Sequence, residues 1–467
     1  MKYFYNFQQH NQEQIALLDE QNLSLTYGEL SSFINSVKDL IPTRSLVFHF
    51  SENSVPSVAL YLACLSNRAV PVLLNPLTNR DLIDNLLNNY QPQYLIIPQK
   101  IWSWFNTAVV YEYKNYRIIE YSQTKITLFE DLALLLPTSG STGSPKMVRH
   151  SYQNISTSAS NVASFFQLNQ NDRPVVLLPM YYTMGLSVIN SHLEAGATLL
   201  LFNGSLTDIS FWNMLKSESP TSITGVPYTF EILKKLRFFK MNFPTLKLIT
   251  QGGGKMSEDL LQDCIQYAKD NNLKFIPTYG QTEGTARMAF LNSGEVERKK
   301  GSIGKAIPNG KLTVIDDQGI ITNDGEATGE MVFQGPNVTL GYAENILDLN
   351  KGDERKGYLQ TGDIVRRDNE GFYFIIGRKS RFLKLFGLRV SLDELELLIK
   401  DNFHIECVCK GNDSIMNVYL TNDSLLSEVK EFIIQKTGLY HKCITVKYIV
   451  EFPRNETGKI LLNAIED

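Results

Sequence analysis

The residues with the clearest chemical potential form a loop of hydroxyl groups and glycines that ends in a lysine. The loop consists of Thr138, Ser139, Gly140, Ser141, Thr142, Gly143, Ser144, Pro145 and Lys146, and it follows the apolar run 132–136, which predicts a buried strand. Glycines let successive N–H groups point into one concavity, while hydroxyls and a lysine add donors and positive charge. The loop therefore predicts a polyphosphate site, although it departs from the common G-x-x-x-x-G-K-[ST] pattern. A plain surface turn is the alternative.

Two later stretches place a carboxylate beside groups that suit a nucleotide. Tyr279, Gly280, Gln281, Thr282 and Glu283 are consecutive and follow an apolar pair. An aromatic ring can stack on a base, and a carboxylate can hold Mg²⁺ that bridges phosphates, which makes Glu283 the candidate metal ligand. Asp363 comes after a predicted glycine turn and can accept hydrogen bonds from ribose hydroxyls. The alternatives are a core tyrosine and a turn-capping aspartate.

Two basic residues lie further along the chain. Arg378 follows Gly377 and offers a forked donor where one domain is expected to end. Lys459 follows Gly458 near the end of the sequence, in a predicted turn. Alternatively, Arg378 pairs with a surface carboxylate and Lys459 is a solvated lysine.

The elements that must position these residues alternate between strand and helix. Residues 47–50, 69–74 and 94–97 predict strands with helix between them, and Thr26 with Glu29 predicts a capped helix start. The same rhythm continues through strands at 175–178, 197–202, 222–224 and 246–250, whereas residues 301–377 predict short antiparallel strands. A helix is predicted at 392–399. We expect an α/β fold in which residues 1–378 form a large N-terminal domain of parallel-rich sheets covered by helices plus a small β-barrel. Residues 379–467 then form a small α+β C-terminal domain.

Composition excludes several classes of protein. The 467 residues carry a net charge of −4, which gives no electrostatic support for nucleic-acid binding. No apolar run reaches the length of a membrane span, and the N-terminus lacks the apolar core of a secretory signal. The five cysteines are scattered without metal-site spacing, so we expect a reducing, cytoplasmic setting.

In this order, the motifs resemble those of the adenylate-forming superfamily, which includes acyl- and aryl-CoA synthetases, adenylation domains of peptide synthetases and luciferases. The resemblance covers residues 25–459, nearly the whole chain. It implies that ATP is bound by the loop 138–146, by a glycine turn facing the adenine, by the aromatic motif, and by the ribose-binding pair. These positions are Thr138, Ser139, Gly140, Ser141, Thr142, Gly143, Lys146, Gly252, Gly253, Gly254, Tyr279, Gly280, Gln281, Asp363 and Arg378.

The resemblance also implies a two-step reaction that uses ATP, Mg²⁺ and either CoA or the phosphopantetheine of a carrier protein. A carboxylate attacks the α-phosphorus of ATP, and a thiol then takes the acyl group from the adenylate. Lys459, Thr282 and Glu283 would act in the first step, where positive groups meet the gathered negative charge. The loop 384–396, with Lys384 and Gly387, would act in the second step, after the C-terminal domain has swung about the junction.

The acid is expected to be small and not an amino acid. By the resemblance, Tyr182, Gly185, Val226 and Arg287 line its pocket. Residues 179–185 contain no acidic side chain, and a buried substrate ammonium without a partner would be costly. Arg287 could meet a second carboxylate of the substrate, or it could pair structurally with an acid of the protein.

Three positions depart from the family pattern, and two other functions stay open. Ser380 stands where the hinge residue is usually Asp or Lys, Met147 follows the loop lysine where Gly is common, and Tyr182 replaces a frequent His. Loading of a separate carrier protein is the first alternative to CoA ligation. A catalytically silent nucleotide-binding scaffold is the second, although retention of Lys146, Glu283, Asp363, Arg378 and Lys459 argues against it. Nothing specific supports an oxygenase of the luciferase kind.

Overall fold

Two large β-sheets and the helices around them make up the framework of the protein. The structure, a computed structural model, describes residues 3–137, 146–316, 318–322, 324–385, 388–412, 414–437, 439–455 and 458–465. The predicted α/β class, with a large N-terminal and a smaller C-terminal part, is confirmed. Within these ranges, no helix has both the length and the apolar character needed to span a membrane.

Helices and strands alternate through the first three hundred residues, and short strands dominate after that. The α-helices of the described residues are α1 (Tyr27–Val37), α2 (Val55–Ser66), α3 (Arg80–Tyr90), α4 (Tyr152–Phe166), α5 (Thr183–Glu194), α6 (Ile209–Ser217), α7 (Pro227–Lys235), α8 (Glu258–Asp270), α9 (Leu392–Phe403) and α10 (Leu426–Thr437). The strands are β1 (Ile15–Asp19), β2 (Ser24–Thr26), β3 (Leu46–Phe50), β4 (Val70–Leu74), β5 (Tyr94–Pro98), β6 (Val109–Tyr113), β7 (Tyr116–Glu120), β8 (Leu132–Pro137), β9 (Met147–Ser151), β10 (Pro174–Val176), β11 (Leu199–Leu201), β12 (Ser222–Gly225), β13 (Leu248–Gln251), β14 (Lys274–Tyr279), β15 (Ala289–Phe290), β16 (Ser302–Ala306), β17 (Lys311–Ile315), β18 (Ile321–Thr322), β19 (Ala327–Gln334), β20 (Gly341–Ala343), β21 (Tyr358–Arg367), β22 (Tyr373–Arg378), β23 (Phe382–Leu385), β24 (Leu388–Ser391), β25 (Cys407–Gly411), β26 (Met416–Leu420) and β27 (Ile444–Tyr448).

The larger sheet joins a parallel half to an antiparallel half. Its strand order is β18-β17-β19-β21-β22-β16-β15-β14-β13-β12-β10-β11-β1-β2. Strands β14, β13, β12, β10, β11 and β1 are parallel neighbours, while β15 and β16 connect them to the antiparallel strands. The short antiparallel strands predicted between 301 and 377 are therefore present. The continuous ladder brings the end of β14 next to β21 and β22.

The second sheet has the order β20-β9-β8-β4-β3-β5-β7-β6. Helices α4 and α5 lie between it and the larger sheet, since one apolar cluster includes residues of β8, of both helices and of β11. Strands β8 and β9 form an antiparallel pair, so the segment 138–146 connects two adjacent strands. The capping box predicted at Thr26 and Glu29 is confirmed at the start of α1.

The elements after β22 form a hydrophobic core of their own. Strands β25, β26 and β27 make a three-stranded sheet against α9 and α10, and buried residues from 383 to 444 form one cluster. Cys407 and Cys409 are both buried on β25, as alternation along a strand predicts, and every cysteine of the chain is a free thiol. Helix α9 meets the N-terminal part through an ion pair between Lys400 and Glu231 of α7 at 3.1 Å.

A fully buried arginine fastens β20 and the loop after it to β9. The Arg149 guanidinium donates to the carbonyls of Leu340, Tyr342, Lys351 and Gly352 and to the Glu354 carboxylate. The guanidinium itself is fully buried, and removing the partners of a buried charge is costly. Arg149 therefore fixes the position of residues 340–354.

We expect Arg149→Met to lower the free energy of unfolding by about 3 kcal/mol, because the carboxylate of Glu354 and four carbonyls of the segment 340–354 lose a shared cationic donor at once. Lys269→Met is the matched control: Lys269 pairs with Glu297 where both side chains are more than half exposed, and its loss should change stability by less than about 0.5 kcal/mol. Denaturant titration of both variants measures the difference. Equal stability of the two variants would contradict this role of Arg149.

Candidate active site

A buried carboxylate on β21 contacts side chains at the ends of β14 and β22. Asp363 lies on β21 and is 2% exposed. It accepts hydrogen bonds from the Tyr279 hydroxyl at the end of β14 and from Gln281 Nε2 at 2.8 Å, and it pairs with Arg378 Nε at 3.0 Å. Asp363 and Arg378 are directly opposite in the β21–β22 ladder. The structure thus brings together four residues that are up to 99 positions apart in the sequence and that were predicted to contact the nucleoside.

Protonation of the tyrosine fits this arrangement. Burial is the main cause that raises the pKa of Tyr279 well above its usual range, and the charge of Asp363 is the second. The phenol therefore stays protonated and donates a hydrogen bond to Asp363. Arg378 keeps more than half of its side chain exposed. The cluster therefore consists of a buried carboxylate acceptor with a cationic donor at the solvent side, which is suitable for a diol such as ribose.

The prediction of a turn at Gly362 is wrong, because this glycine lies within a strand. Residues 358–367 are one strand, and Gly362 has a positive φ of 71° where the register of β21 against β19 shifts. Such a bulge re-aims a side chain without ending the strand. A glycine before a polar residue looks alike in both cases, because a turn and a bulge need the same left-handed backbone.

The motif after β14 is a tightly constrained turn. A Cβ on Gly280 would lie 1.6 Å from the carbonyl oxygen of Ala286, so only glycine fits. Residues Thr282–Gly284 form one turn of 3₁₀ helix, and Thr285 and Ala286 follow with φ of 49° and 77°. Ser158 and Asn337 hold this strained backbone through bonds of 2.7 Å to the carbonyls of Thr285 and Gly284. Strain held in this way fixes the position of Thr282 and Glu283.

Glu283 is partly exposed at the edge of this turn. Its Oε1 accepts a hydrogen bond of 2.7 Å from the Tyr342 hydroxyl, and the Arg149-fastened segment 340–354 supplies this tyrosine. No group of three or more His, Cys, Asp or Glu that could hold a metal occurs in the described ranges. A single carboxylate matches Mg²⁺, which takes one or two protein carboxylates and completes its shell with water and phosphate oxygens.

Lys146 lies next to the same segment. Its Nζ pairs with Glu344 at 2.8 Å and lies 5.7 Å from the ring centre of Tyr342. Both charged side chains are more than half exposed, so this pair contributes little to stability and can open at small cost. The remaining loop residues predicted to hold phosphate, Thr138, Ser139, Gly140, Ser141, Thr142 and Gly143, lie outside the described residues, as does Gly387; of Lys384 only the backbone, in β23, is described.

Lys459 approaches this site from the C-terminal part. The turn before it is closed by Gly458 N–H donating to Asn455 O at 2.9 Å, and Gly458 has φ of 77°. A Cβ on Gly458 would lie 2.2 Å from the Tyr228 ring, so the glycine lets this turn rest directly on α7. Although Lys459 stays accessible to solvent, partial burial and the charge of Arg378 lower its pKa, and Glu283 opposes that shift.

The glycine turn after β13 packs against α5 and against the residues that begin α7. A Cβ on Gly252 would lie 2.5 Å from Met184 Cε and 2.8 Å from Thr278 Oγ1, and one on Gly253 would lie 3.1 Å from Val226. Gly254 adjoins Pro227. The three glycines after β13 therefore leave room for the side chains of α5 and of the start of α7.

Two predicted pocket residues begin α5. Gly185 is required there, because a Cβ would lie within 2.4 Å of the carbonyl oxygens of Leu178 and Pro179. Tyr182 is the N-cap of α5, and its ring centre lies 5.0 Å from that of Tyr181. Arg287 is 1% exposed, and its Nη1 donates to Thr278 Oγ1 at 3.2 Å.

Sequence reasoning missed Tyr342 and underrated Tyr228. Tyr342 bonds Glu283 across 59 positions, and no motif surrounds it that could have indicated this contact. No signal in the sequence indicated that Tyr228 contacts the turn before Lys459, yet that turn rests on its ring. Its partner, Gly458, was visible in the sequence, but a glycine does not say which side chain occupies the space it leaves.

Comparisons with known proteins found a matching family, related sequences and similar solved structures. A sequence profile of the family described as "AMP-binding enzyme" matches residues 4–343. A 4-coumarate–CoA ligase-like 4 of rice (Oryza sativa subsp. japonica) is 27% identical over 353 residues, which are 71% of this chain and 62% of that protein. A 2-succinylbenzoate–CoA ligase of Bacillus licheniformis is 28% identical over 341 residues, 71% of this chain and 69% of that protein.

Solved structures match over the whole length. O-succinylbenzoate coenzyme A synthetase from Bacillus subtilis in complex with AMP superposes with a TM-score of 0.81 and 22% identity, covering 100% of this chain and 98% of the other. A complex of that synthetase with ATP and a magnesium ion gives a TM-score of 0.75 and 21% identity over 97% of each chain. At this identity, the likeness shows the fold.

We expect Asp363→Ala to weaken ATP binding about 10- to 100-fold, because it removes the side-chain acceptor of the cluster, and hydrogen bonds to a carboxylate are each worth roughly 1.5–3 kcal/mol. Titration calorimetry with ATP, without any acid, measures this. Glu370→Ala is the control, since Glu370 is an exposed carboxylate in the loop that joins β21 to β22. An unchanged ATP affinity in folded Asp363→Ala would count against the nucleoside role.

Proposed function

Because the chain belongs to the AMP-binding enzymes, the adenylate-forming superfamily, we propose that it is an ATP-dependent ligase that joins a small carboxylic acid to CoA through an acyl-adenylate. One observation carries the proposal: Lys459, on a glycine turn seated on Tyr228, lies where the charges of Glu283 and Arg378 both act on its ammonium. We infer that this cation meets both reactants, the nucleotide held near Arg378 and Glu283 and the acid. This is the arrangement that an adenylation step requires.

In the first step, a carboxylate oxygen of the acid attacks the α-phosphorus of ATP, and the bond from that phosphorus to pyrophosphate breaks. The attacking carboxylate and the phosphate oxygens bring negative charge together at one point. A fixed cation there stabilises the transition state more than the ground state. Lys459 is assigned this role, and Thr282, fixed by the strained turn, positions the α-phosphate.

The nucleotide is held by the groups described above. Asp363 binds the ribose hydroxyls, Arg378 closes the solvent side, and Tyr279 packs against the base while orienting Asp363. Lys146 exchanges its exposed partner Glu344 for phosphate oxygens. Glu283 would hold Mg²⁺, which would supply positive charge to neutralise the departing pyrophosphate.

In the second step, the CoA thiolate attacks the acyl carbon and AMP leaves. We infer that residues 379–467 are a mobile domain, which turns about the junction after Arg378 to withdraw Lys459 and bring the loop with Lys384 and Gly387 to the site. Its separate hydrophobic core supports independent movement. So does the nature of its contacts with α7, which include the half-exposed Lys400–Glu231 pair. Ser380 takes part in a 3₁₀ turn, Lys379–Arg381, at this junction.

The acid is not an α-amino acid in this proposal. Residues 179–185, which lead into α5, offer no carboxylate for a substrate ammonium.

The free thiols of all five cysteines support the cytoplasmic location predicted from the sequence.

Acid-dependent exchange of labelled pyrophosphate into ATP tests the first step. We expect exchange with at least one class among fatty, aryl, hydroxy and dicarboxylic acids, and none with α-amino acids. CoA and a holo-carrier protein are then compared as acceptors, and CoA is expected to be preferred. Preference for the carrier protein would make its phosphopantetheine thiol, and not CoA, the acyl acceptor. No exchange from folded, ATP-binding protein would contradict the ligase proposal and favour a silent scaffold.

We expect Lys459→Ala to slow adenylate formation by about 100-fold or more. Thioester formation from supplied acyl-adenylate should stay largely intact, since the cation serves only the first step. The two half-reactions are measured separately by pyrophosphate exchange and by AMP release with CoA. Lys436→Ala removes the same charge from an exposed position on α10 and should change neither. Equal loss in both half-reactions would sink the assignment.

A further inference from the structure

Arg287 is a buried cation with most of its hydrogen-bonding capacity unused. Its side chain is 1% exposed, yet Nε and Nη2 have no hydrogen-bond partner among the residues that the structure describes. Nη1 alone donates, to Thr278 Oγ1 at 3.2 Å, and the Phe166 ring centre lies 5.0 Å from Cζ. The aromatic face offsets part of the lost hydration, but it does not satisfy planar N–H donors.

The structural explanation for such a residue would be an acid of the protein, and within the described ranges no carboxylate lies in ion-pair distance of Arg287. Burial lowers its pKa to about 9, and no neighbouring charge opposes that shift. The guanidinium therefore stays charged at neutral pH. Arg149 is equally buried and shows the contrast, because it meets Glu354 at 2.5 Å and several carbonyls. A charge buried without compensation is costly and requires a reason.

The position of Arg287 supplies that reason. Thr278 Oγ1, which Arg287 contacts, lies 2.8 Å from the point where a Cβ on Gly252 would stand, and Met184 Cε lies at 2.5 Å from the same point. The glycine turn continues to Val226, and the neighbouring Tyr228 carries the turn of Lys459. A continuous set of contacts therefore leads from Lys459 to the guanidinium, past the residues assigned to the acyl pocket.

Resting on the ligase function proposed above, we propose that Arg287 binds a second carboxylate of the acid, at the end of the acyl pocket remote from Lys459. The substrate class is thus the dicarboxylic acids. One carboxylate reacts beside Lys459 while the other accepts the idle Nε–H and Nη2–H donors of Arg287. These two donors form one edge of the guanidinium, which matches the two oxygens of a carboxylate.

Matched acid pairs in the pyrophosphate exchange assay test this substrate class. The probes are the linear diacids from malonate to adipate, each against the monoacid of equal chain length, and terephthalate against 4-methylbenzoate. We expect wild-type protein to favour one diacid over its partner by about 100-fold or more in kcat/KM, since a site built to pair a polar group rejects the analogue that lacks it. Equal use of both members of every pair would overturn the proposal.

Variants of Arg287 separate recognition from structure. Arg287→Met should lower exchange with the diacid by about 100-fold and leave or raise exchange with the monoacid, so that the preference disappears. Arg287→Lys keeps the charge but loses the two-donor edge and should fall between the two. Arg298→Met is the control, because Arg298 is half exposed and paired with Glu295 and Glu370, and its preference should equal that of the wild type. Equal loss on both acids in Arg287→Met would instead indicate a packing role.

Thermal melting in the absence of ATP gives a readout that needs no turnover. The favoured diacid should raise the melting temperature of wild-type protein but not of Arg287→Met, and the unliganded Met variant should melt no lower than wild type, because it loses an uncompensated buried charge. A shift by the diacid without any exchange would uphold the subsite while contradicting the ligase function. Pyrophosphate exchange with monoacids only, with no change in melting temperature on adding any diacid, would uphold the ligase function and contradict the subsite.

Discussion

The continuous ladder from β14 through β15 and β16 to β22 is the constraint on which the site depends. The carboxyl ends of the parallel strands lie at one edge of the sheet. The antiparallel strands β15 and β16 bring β21 and β22 to that same edge. Asp363 is the result: its acceptors meet Tyr279 from the parallel half and Arg378 from the antiparallel half. Because Arg378 is also the last residue of β22, the position of this side-chain cluster and the start of the C-terminal part are fixed by the same register.

Glycine determines how closely the parts of the site approach each other. Gly280 admits the carbonyl of Ala286, Gly252 admits Met184 and Thr278, and Gly458 admits the Tyr228 ring. In each case a Cβ would overlap backbone or a packed side chain, so these positions are set by space more than by flexibility. The chain thereby brings a strained turn, a pocket floor and a cation together without inserting any side chain between them.

Much of this could be predicted from the sequence, for a physical reason. Asp363, Arg378 and Lys459 each sit in short motifs whose order along the chain is itself a signal, and strand–helix alternation predicted the parallel sheet. The bulge at Gly362 was read as a turn, because both need the same backbone conformation. Tyr342 and Tyr228 act across long sequence separations through packing, and no local pattern encodes such contacts. Whether Arg287 had an acid partner also depended on tertiary neighbours.

The two cations of the pocket differ in what compensates them. Lys459 keeps access to solvent and feels Glu283, so its charge is tolerated before any substrate binds. Arg287 has neither solvent nor a described acid, so its charge is buried at a cost that the proposed second carboxylate would remove. Relief of that cost would be realised only by an acid with an anionic group at both ends. A monoacid of the same length would leave the guanidinium as unpaired as before, which makes selectivity a property of the buried charge itself and not of pocket volume alone.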